Sequence, residues 1–317
     1  MSILASLTNI IVPYFGLILV VVVGFLAAWQ GLLSQDRINM LSEIVIVLIL
    51  PIFTFWNAAT NSIVAVLNQA PWMVGLGLFS TLIGYGLATL IARFAHWEWP
   101  RRSVLQVSGV SGNTGFLGIP VCTALYGAQG TILALLYDLG ASVYLYTLGL
   151  GVYKNKDQSY ASAHMQFHLL IKQLVSPIFI ALILGMGFSL VGWQFPPVLH
   201  LPFESLSNIA IPLMMIILGG IIYNSVLQYG ADKRSVIILS FLKLLIMPVL
   251  IFLVVQLLPI ASTSRGVAVI EAAMPCGVTA VTFASRYKAD EKLAASATMI
   301  TTLLSVLIIP IFAAIVH

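Results

Sequence analysis

Apolar runs of membrane-spanning length follow one another along almost the whole chain, and they constrain its fold more than any other feature. A helix needs about 20 mainly apolar residues to cross a hydrocarbon core about 30 Å thick. Runs bounded by polar or turn-forming breaks lie at Ile10–Ala28, Leu41–Ala59, Trp72–Phe94, Ser103–Tyr126 and Thr131–Tyr153. After a break they resume at Leu169–Val191, Phe203–Tyr223, Ser235–Leu258, Gly266–Tyr287 and Leu293–Val316. The expectation is an all-α membrane protein of ten transmembrane helices. Only 8% of the 317 residues are charged, against about 25% in soluble domains, so a soluble fold could not hide this apolar surface.

The longest polar stretch, Lys154–His168, divides the chain into a first five-helix set, 1–153, a short linker, 154–168, and a second set, 169–317. All three belong to one membrane domain. Met1–Asn9 has no Lys or Arg, so it lacks the charged flank of a cleaved signal peptide and the first run is expected to remain as a span. With the N-terminus outside, the inner loops collect Arg37, Arg93, Arg101, Arg102, Lys154, Lys156, Lys172, Lys233, Arg234, Arg286, Lys288 and Lys292, twelve of the fourteen positive residues. This positive-inside bias predicts both termini on the non-cytoplasmic side of the plasma (inner) membrane. The net charge of +4 is scattered among apolar runs and forms no basic face, which argues against nucleic acid as a partner.

Five spans per half is an odd number, so the second half enters the membrane with opposite orientation, and the expected repeat is inverted. Leu41-Ser42-Glu43-Ile44 and Leu206-Ser207-Asn208-Ile209 occupy matching places in the two halves. Arg101-Arg102 precedes a Gly-interrupted fourth span, and Arg265 precedes a Pro-interrupted ninth. Interrupted helices at equivalent places in inverted repeats point to a transporter binding site. The fourth span holds Ser111-Gly112-Asn113-Thr114-Gly115-Phe116-Leu117-Gly118-Ile119-Pro120, and the ninth holds Glu271-Ala272-Ala273-Met274-Pro275-Cys276-Gly277. Glycine loosens a helix and proline removes a donor. Backbone freed within a membrane survives only where it is buried or lines a cavity. Half-helix N-termini there suit a carboxylate, which makes a small organic anion the favoured cargo. The alternative is that these glycines serve close helix packing.

Asn113-Thr114-Gly115-Phe116-Leu117-Gly118-Ile119-Pro120 resembles the fourth-span motif of the auxin efflux carrier family. The resemblance extends to Leu50-Pro51, to Leu242-Lys243-Leu244 with Pro248, and to Met274-Pro275 followed by Arg286-Tyr287, so it covers nearly the whole chain. It implies a bile acid symporter/PIN-like fold with crossing fourth and ninth helices, elevator-like alternating access and often a homodimer. That family includes plant PIN auxin exporters and bacterial carriers assigned to malonate or malate. The short linker matches the bacterial type. Pro275-Cys276-Gly277 offers no asparagine to answer Asn113.

The candidate substrate-binding residues are therefore Asn113, Thr114, Gly115, Pro275, Cys276 and Gly277. Ionisable groups within spans cost about 2.5–3.5 kcal/mol each and mark interiors or ion pathways. Glu271, one turn before Pro275, is the first candidate for proton or cation coupling, with the alternative that it reaches water near Arg265. Asp138 couples or forms a structural pair with Lys243. Lys243, the third coupling candidate, alternatively attracts an anion, forms a packing ion pair or snorkels. Glu43 reads as interfacial, and Asn57, Asn61 and Asn224 as polar helix ends. His96 beside Trp97 and Trp99 reads as an interfacial aromatic belt. His164 and His168 have no carboxylate at zinc-site spacing, so no metal or other cofactor is expected. Cys122 and Cys276 have no neighbouring His in sequence and no HExxH motif exists, so an enzyme is not expected. A carrier is the favoured class, with a channel or a ligand-binding membrane sensor as the alternative.

Overall fold

The computed structural model describes residues 3–61, 63–153, 167–169, 171–172, 175–227 and 230–316, and every extended element in it is helical. The helices are α1 (Ile3–Trp29), α2 (Gln35–Thr60), α3 (Ala70–Phe94), α4 (Arg101–Ser108), α5 (Thr114–Val152), α6 (Pro177–Val191) and α7 (Pro197–Leu227). They continue with α8 (Lys233–Gln256), α9 (Ser262–Ala272), α10 (Val278–Arg286) and α11 (Glu291–Val316). The Lys154–His168 linker, His164 included, lies almost wholly outside the described residues.

Among the described residues, seven helices are long and apolar enough to cross a membrane, where ten were expected. The reason is local. Hydropathy does not register helix continuity, so the expected fourth and fifth spans fuse into one helical run, α5, which changes direction at Gly127 (φ 60°, ψ −149°). The start of the fourth becomes the eight-residue α4, and the ninth divides into α9 and α10, each too short to cross. Within the sixth, the 15-residue α6 is the one continuous helix among the described residues. With that count, the expected five-plus-five inverted repeat is set aside.

Reciprocal glycines lock two helix pairs. A Cβ at Gly24 of α1 would overlap the Ile216 carbonyl of α7, and one at Gly219 of α7 would overlap the Val21 carbonyl of α1. Gly77 of α3 meets the Tyr137 carbonyl of α5, while Gly140 of α5 meets the Val74 carbonyl of α3. Small residues allow such backbone approach where no hydrophobic effect drives helices together. Leu19, Val23, Ile183, Leu184, Leu253 and Leu307 face outward, as residues solvated by lipid tails would. Two buried clusters lie inside. One joins α1, α2, α7 and the later part of α5 around Tyr14, Phe53, Tyr137 and Met214. The other joins α3, α4, the end of α5, α8, α10 and α11 around Val104, Tyr144, Leu239 and Ala284.

Candidate functional site

Helix stops twice inside the protein, and the two stops meet. Between α4 and α5 the chain is unwound over residues 109–113, and between α9 and α10 over residues 273–277. Gly112 and Cys276 pair as an isolated antiparallel bridge. The Asn113 N–H donates to the Pro275 carbonyl at 2.7 Å, and the Gly277 N–H donates to the Ser111 carbonyl at 3.0 Å. The Cys276 N–H donates to Thr301 Oγ1 of α11 at 3.1 Å. Pro275 has no N–H to satisfy and contributes an acceptor, so its place in the break costs little. Unpaired backbone in hydrocarbon costs several kcal/mol per group, and these bonds remove most of that cost. A Cβ at Gly277 would come within 2.9 Å of the Gly112 carbonyl, so the crossing needs glycine there.

Each stop is followed by a helix start. Asn113 precedes α5 and Gly277 precedes α10, and neither start is capped by a side chain. The first N–H groups of a helix have no partner within it and carry the positive end of its dipole. The starts of α5 and α10 both border a cavity of about 820 Å³. Ser111, Gly112, Asn113, Thr114, Gly115 and Gly277 contribute a polar lining, and Ile38, Ile46, Leu50, Phe179 and Ile221 an apolar one. The lining extends to exposed Gln35, Asn39, Arg286 and Glu291.

Among the described residues, four wide, π-helical turns fall within the long helices. Three of them, Val45–Ile49, Thr114–Gly118 and Leu145–Gly149, contribute Ile46, Thr114, Gly115, Phe116, Leu145 and Tyr146 to the cavity. The fourth, Leu242–Ile246, carries Lys243. Such turns recur at functional sites, and no residue pattern in the sequence announces them.

Asn113, Thr114, Gly115, Gly277 and Asp138 line the cavity; Pro275 and Cys276, which are part of the crossing, lie outside the lining, as do Glu271 and Lys243. Asn113 is 5% exposed, and its Nδ2 has no hydrogen-bond partner among the described residues. Asp138 accepts a hydrogen bond from the Thr114 hydroxyl. Lys243 is 2% exposed and donates to the carbonyl of Ala272, the last residue of α9, at 2.8 Å. An ammonium there complements the negative end of the α9 dipole. Among the described residues no ion pair within 4.0 Å joins Lys243 to Asp138, so the structural-pair reading of those two fails in this conformation. Lys243 does not snorkel either.

Glu271 is 1% exposed, so it does not reach outer water. Its Oε1 accepts from the Cys122 thiol at 3.5 Å, and its Oε2 has no partner among the described residues. A Cβ at Gly118 would overlap this carboxylate, whereas Gly115 faces open space. The packing reading of the glycines therefore holds for Gly118 and not for Gly115.

Asn224 lines the cavity and donates to Gln35 Oε1 at 2.9 Å, which corrects its reading as a helix end. Asn57 and Asn61 bond back to the carbonyls of Phe53 and Asn57. Glu43 is exposed. Sequence reasoning missed Thr298, Thr301 and Cys122, whose roles depend on contacts between distant segments. Among the described residues no group of three or more His, Cys, Asp or Glu is placed to hold a metal ion.

Comparison with known proteins gives the same class. Residues 9–313 match a family described as membrane transport protein. An uncharacterized transporter of Methanocaldococcus jannaschii is 27% identical over 303 residues, covering 93% of this chain and 95% of that one. An uncharacterized transporter of Methanothermobacter thermautotrophicus is 27% identical over 299 residues, covering 93% and 94%. Matched over nearly its full length, in keeping with its resemblance to auxin efflux carriers, the chain belongs to the membrane transport protein family and is a multi-pass membrane transporter, not an enzyme.

Proposed function

We propose that the chain is a secondary transporter of a small organic anion, a carboxylate of dicarboxylate or auxin-like size, working by elevator-type alternating access. The observation that carries this reading is the convergence of two uncapped helix starts and the Asn113 amide on one cavity. Helix N-termini attract anions through free N–H groups and the dipole. A volume of about 820 Å³ falls within the usual range for small-molecule sites, about 300–1,000 Å³.

The cargo rests against Asn113, Thr114 and the backbone at Gly115 and Gly277, with Pro275 and Cys276 holding the crossing rigid behind it. Among the described residues no hydrogen bond joins the apolar lining from α2, α6 and α7 to the polar lining, and this favours sliding of one body along the other. The cavity reaches Arg286 and Gln35, next to the Lys- and Arg-rich segments, so under the positive-inside rule this conformation faces the cytoplasm.

An anionic cargo beside Asp138 adds like charge in a low-dielectric site, which costs energy unless a proton or cation enters too. Asp138, Glu271 and Lys243 are the coupling candidates, Asp138 at the cavity and the other two buried outside its lining.

Uptake of radiolabelled malonate, malate and indole-3-acetate into proteoliposomes tests the reading. Saturable uptake of at least one of them is expected, with severe loss in Asn113→Ala and Pro275→Ala. Normal uptake in both variants contradicts the placement, and linear conductance contradicts a carrier.

A further inference from the structure

The hydroxyl residues of α11 form a stripe along its buried side, and one of them behaves differently from the rest. Thr301 donates back to the Ala297 carbonyl at 2.7 Å, Thr302 to the Thr298 carbonyl at 2.6 Å, and Ser305 to the Thr302 carbonyl at 2.7 Å. This back-bonding is how a buried hydroxyl in a membrane helix normally satisfies itself. Thr298 sits on the same stripe and is 4% exposed, yet its Oγ1 has no hydrogen-bond partner among the described residues. Thr298 is also one of the residues lining the cavity. Ser111, 8% exposed, repeats the pattern: its carbonyl is used in the crossing, its Oγ has no partner among the described residues, and the residue lines the same cavity. A buried polar group left without a partner is expensive and needs an explanation.

We propose that Thr298 is a cargo-binding residue, which with Ser111 and the Asn113 amide forms a neutral hydrogen-bonding subsite for a carboxylate group of the transported anion. This rests on the carboxylate reading above and deepens it. Asn113 Nδ2 can only donate, and the two hydroxyls can each donate, so the three together match a group rich in acceptors. A carboxylate offers about four lone-pair sites, more than an amide or a single hydroxyl. The subsite carries no formal charge, so the cargo is held by donors and helix starts and released without breaking an ion pair.

The assignment makes two independent demands on Thr298. Because its hydroxyl has no intramolecular bond to lose, Thr298→Val, which keeps the shape, should leave the melting temperature of the ligand-free protein unchanged or raised. Because the hydroxyl bonds to cargo, the same variant should bind about tenfold more weakly, and Thr298→Ser should restore affinity. Binding of malonate, malate, succinate and indole-3-acetate to purified protein is measured by calorimetry, alongside thermal unfolding, for wild type, Thr298→Val, Thr298→Ser and Thr301→Val. Thr301→Val, which removes the acceptor for the Cys276 N–H, should lower the melting temperature. If wild type binds a probe and Thr298→Val binds it equally well, the role of Thr298 is overturned while the carboxylate reading stands. If Thr298→Val unfolds at a clearly lower temperature, the hydroxyl is structural and the assignment again falls. Wild type that binds none of the four overturns both.

Discussion

Asn113 serves two ends at once. Its backbone N–H ties the first break to Pro275, while its buried Nδ2 has no hydrogen-bond partner among the described residues. Truncating the side chain leaves the backbone bond in place, so Asn113→Ala should keep its melting point within about 1 kcal/mol of stability and lose cargo affinity by about tenfold or more. Calorimetry beside thermal unfolding separates the two effects. Gly118 and Gly115 form a contrasting pair. Gly118→Ala pushes a methyl into the Glu271 carboxylate and should cost about 1–3 kcal/mol, whereas Gly115→Ala meets open space and should cost nothing measurable. Thermal unfolding in detergent reads both, and equal effects would contradict the close approach. The residue types at the crossing were legible in the sequence, because Gly112, Pro275 and Gly277 are the residues that tolerate unwound backbone. The partners were not. Cys122 and Glu271 meet across 149 positions, and Thr298 is distinguished from Thr301 only by a bond it does not make.

At the scale of helices, the reciprocal glycines of α3 and α5 predict a larger penalty. A methyl at Gly140 meets the Val74 backbone and not a side chain that can rotate away. Gly140→Ala should therefore destabilise by about 3 kcal/mol or separate the pair, and disulfide trapping between α3 and α5 would detect the separation. Outside the hydrocarbon, Arg101 at the start of α4 lies 3.9 Å from Asp232 and 3.8 Å from Asp290, which precede α8 and α11. These charges are solvated, so Arg101→Gln should change stability by less than about 1 kcal/mol. Hydrogen bonds from Ser235 hold the Asp232 carboxyl below the usual carboxylate range. Its support for the α8 start is thus fully present above about pH 4 and is lost only as pH falls through its lower folded value. Where helices begin and end was the least legible feature. Apolar runs locate membrane crossings by composition, but Gly127 bends one continuous helical run and Pro120 sits just after the wide turn Thr114–Gly118 within it, so neither marks a boundary between spans.

For the whole molecule, composition settles the membrane class, because nothing else accommodates so much apolar surface with so little charge. Function required more: two breaks brought together by their own backbone bonds, wide turns arranged around the same cavity, and a family match over nearly the full chain. The four π-helical turns and the capping of α9 by Lys243 arise from packing between distant helices, which hydropathy averages away. If Asp138 is the coupling group, uptake driven by an imposed pH gradient should become insensitive to that gradient in Asp138→Asn, while exchange across equal pH persists. The central claim is that one cavity, closed on one side at a time, binds the cargo between the starts of α5 and α10. Counterflow in proteoliposomes tests it most directly: labelled malate or malonate should accumulate transiently against its gradient when the same unlabelled anion is loaded inside, and Asn113→Ala should abolish the overshoot. Flux that rises linearly with concentration and shows no overshoot would contradict the account.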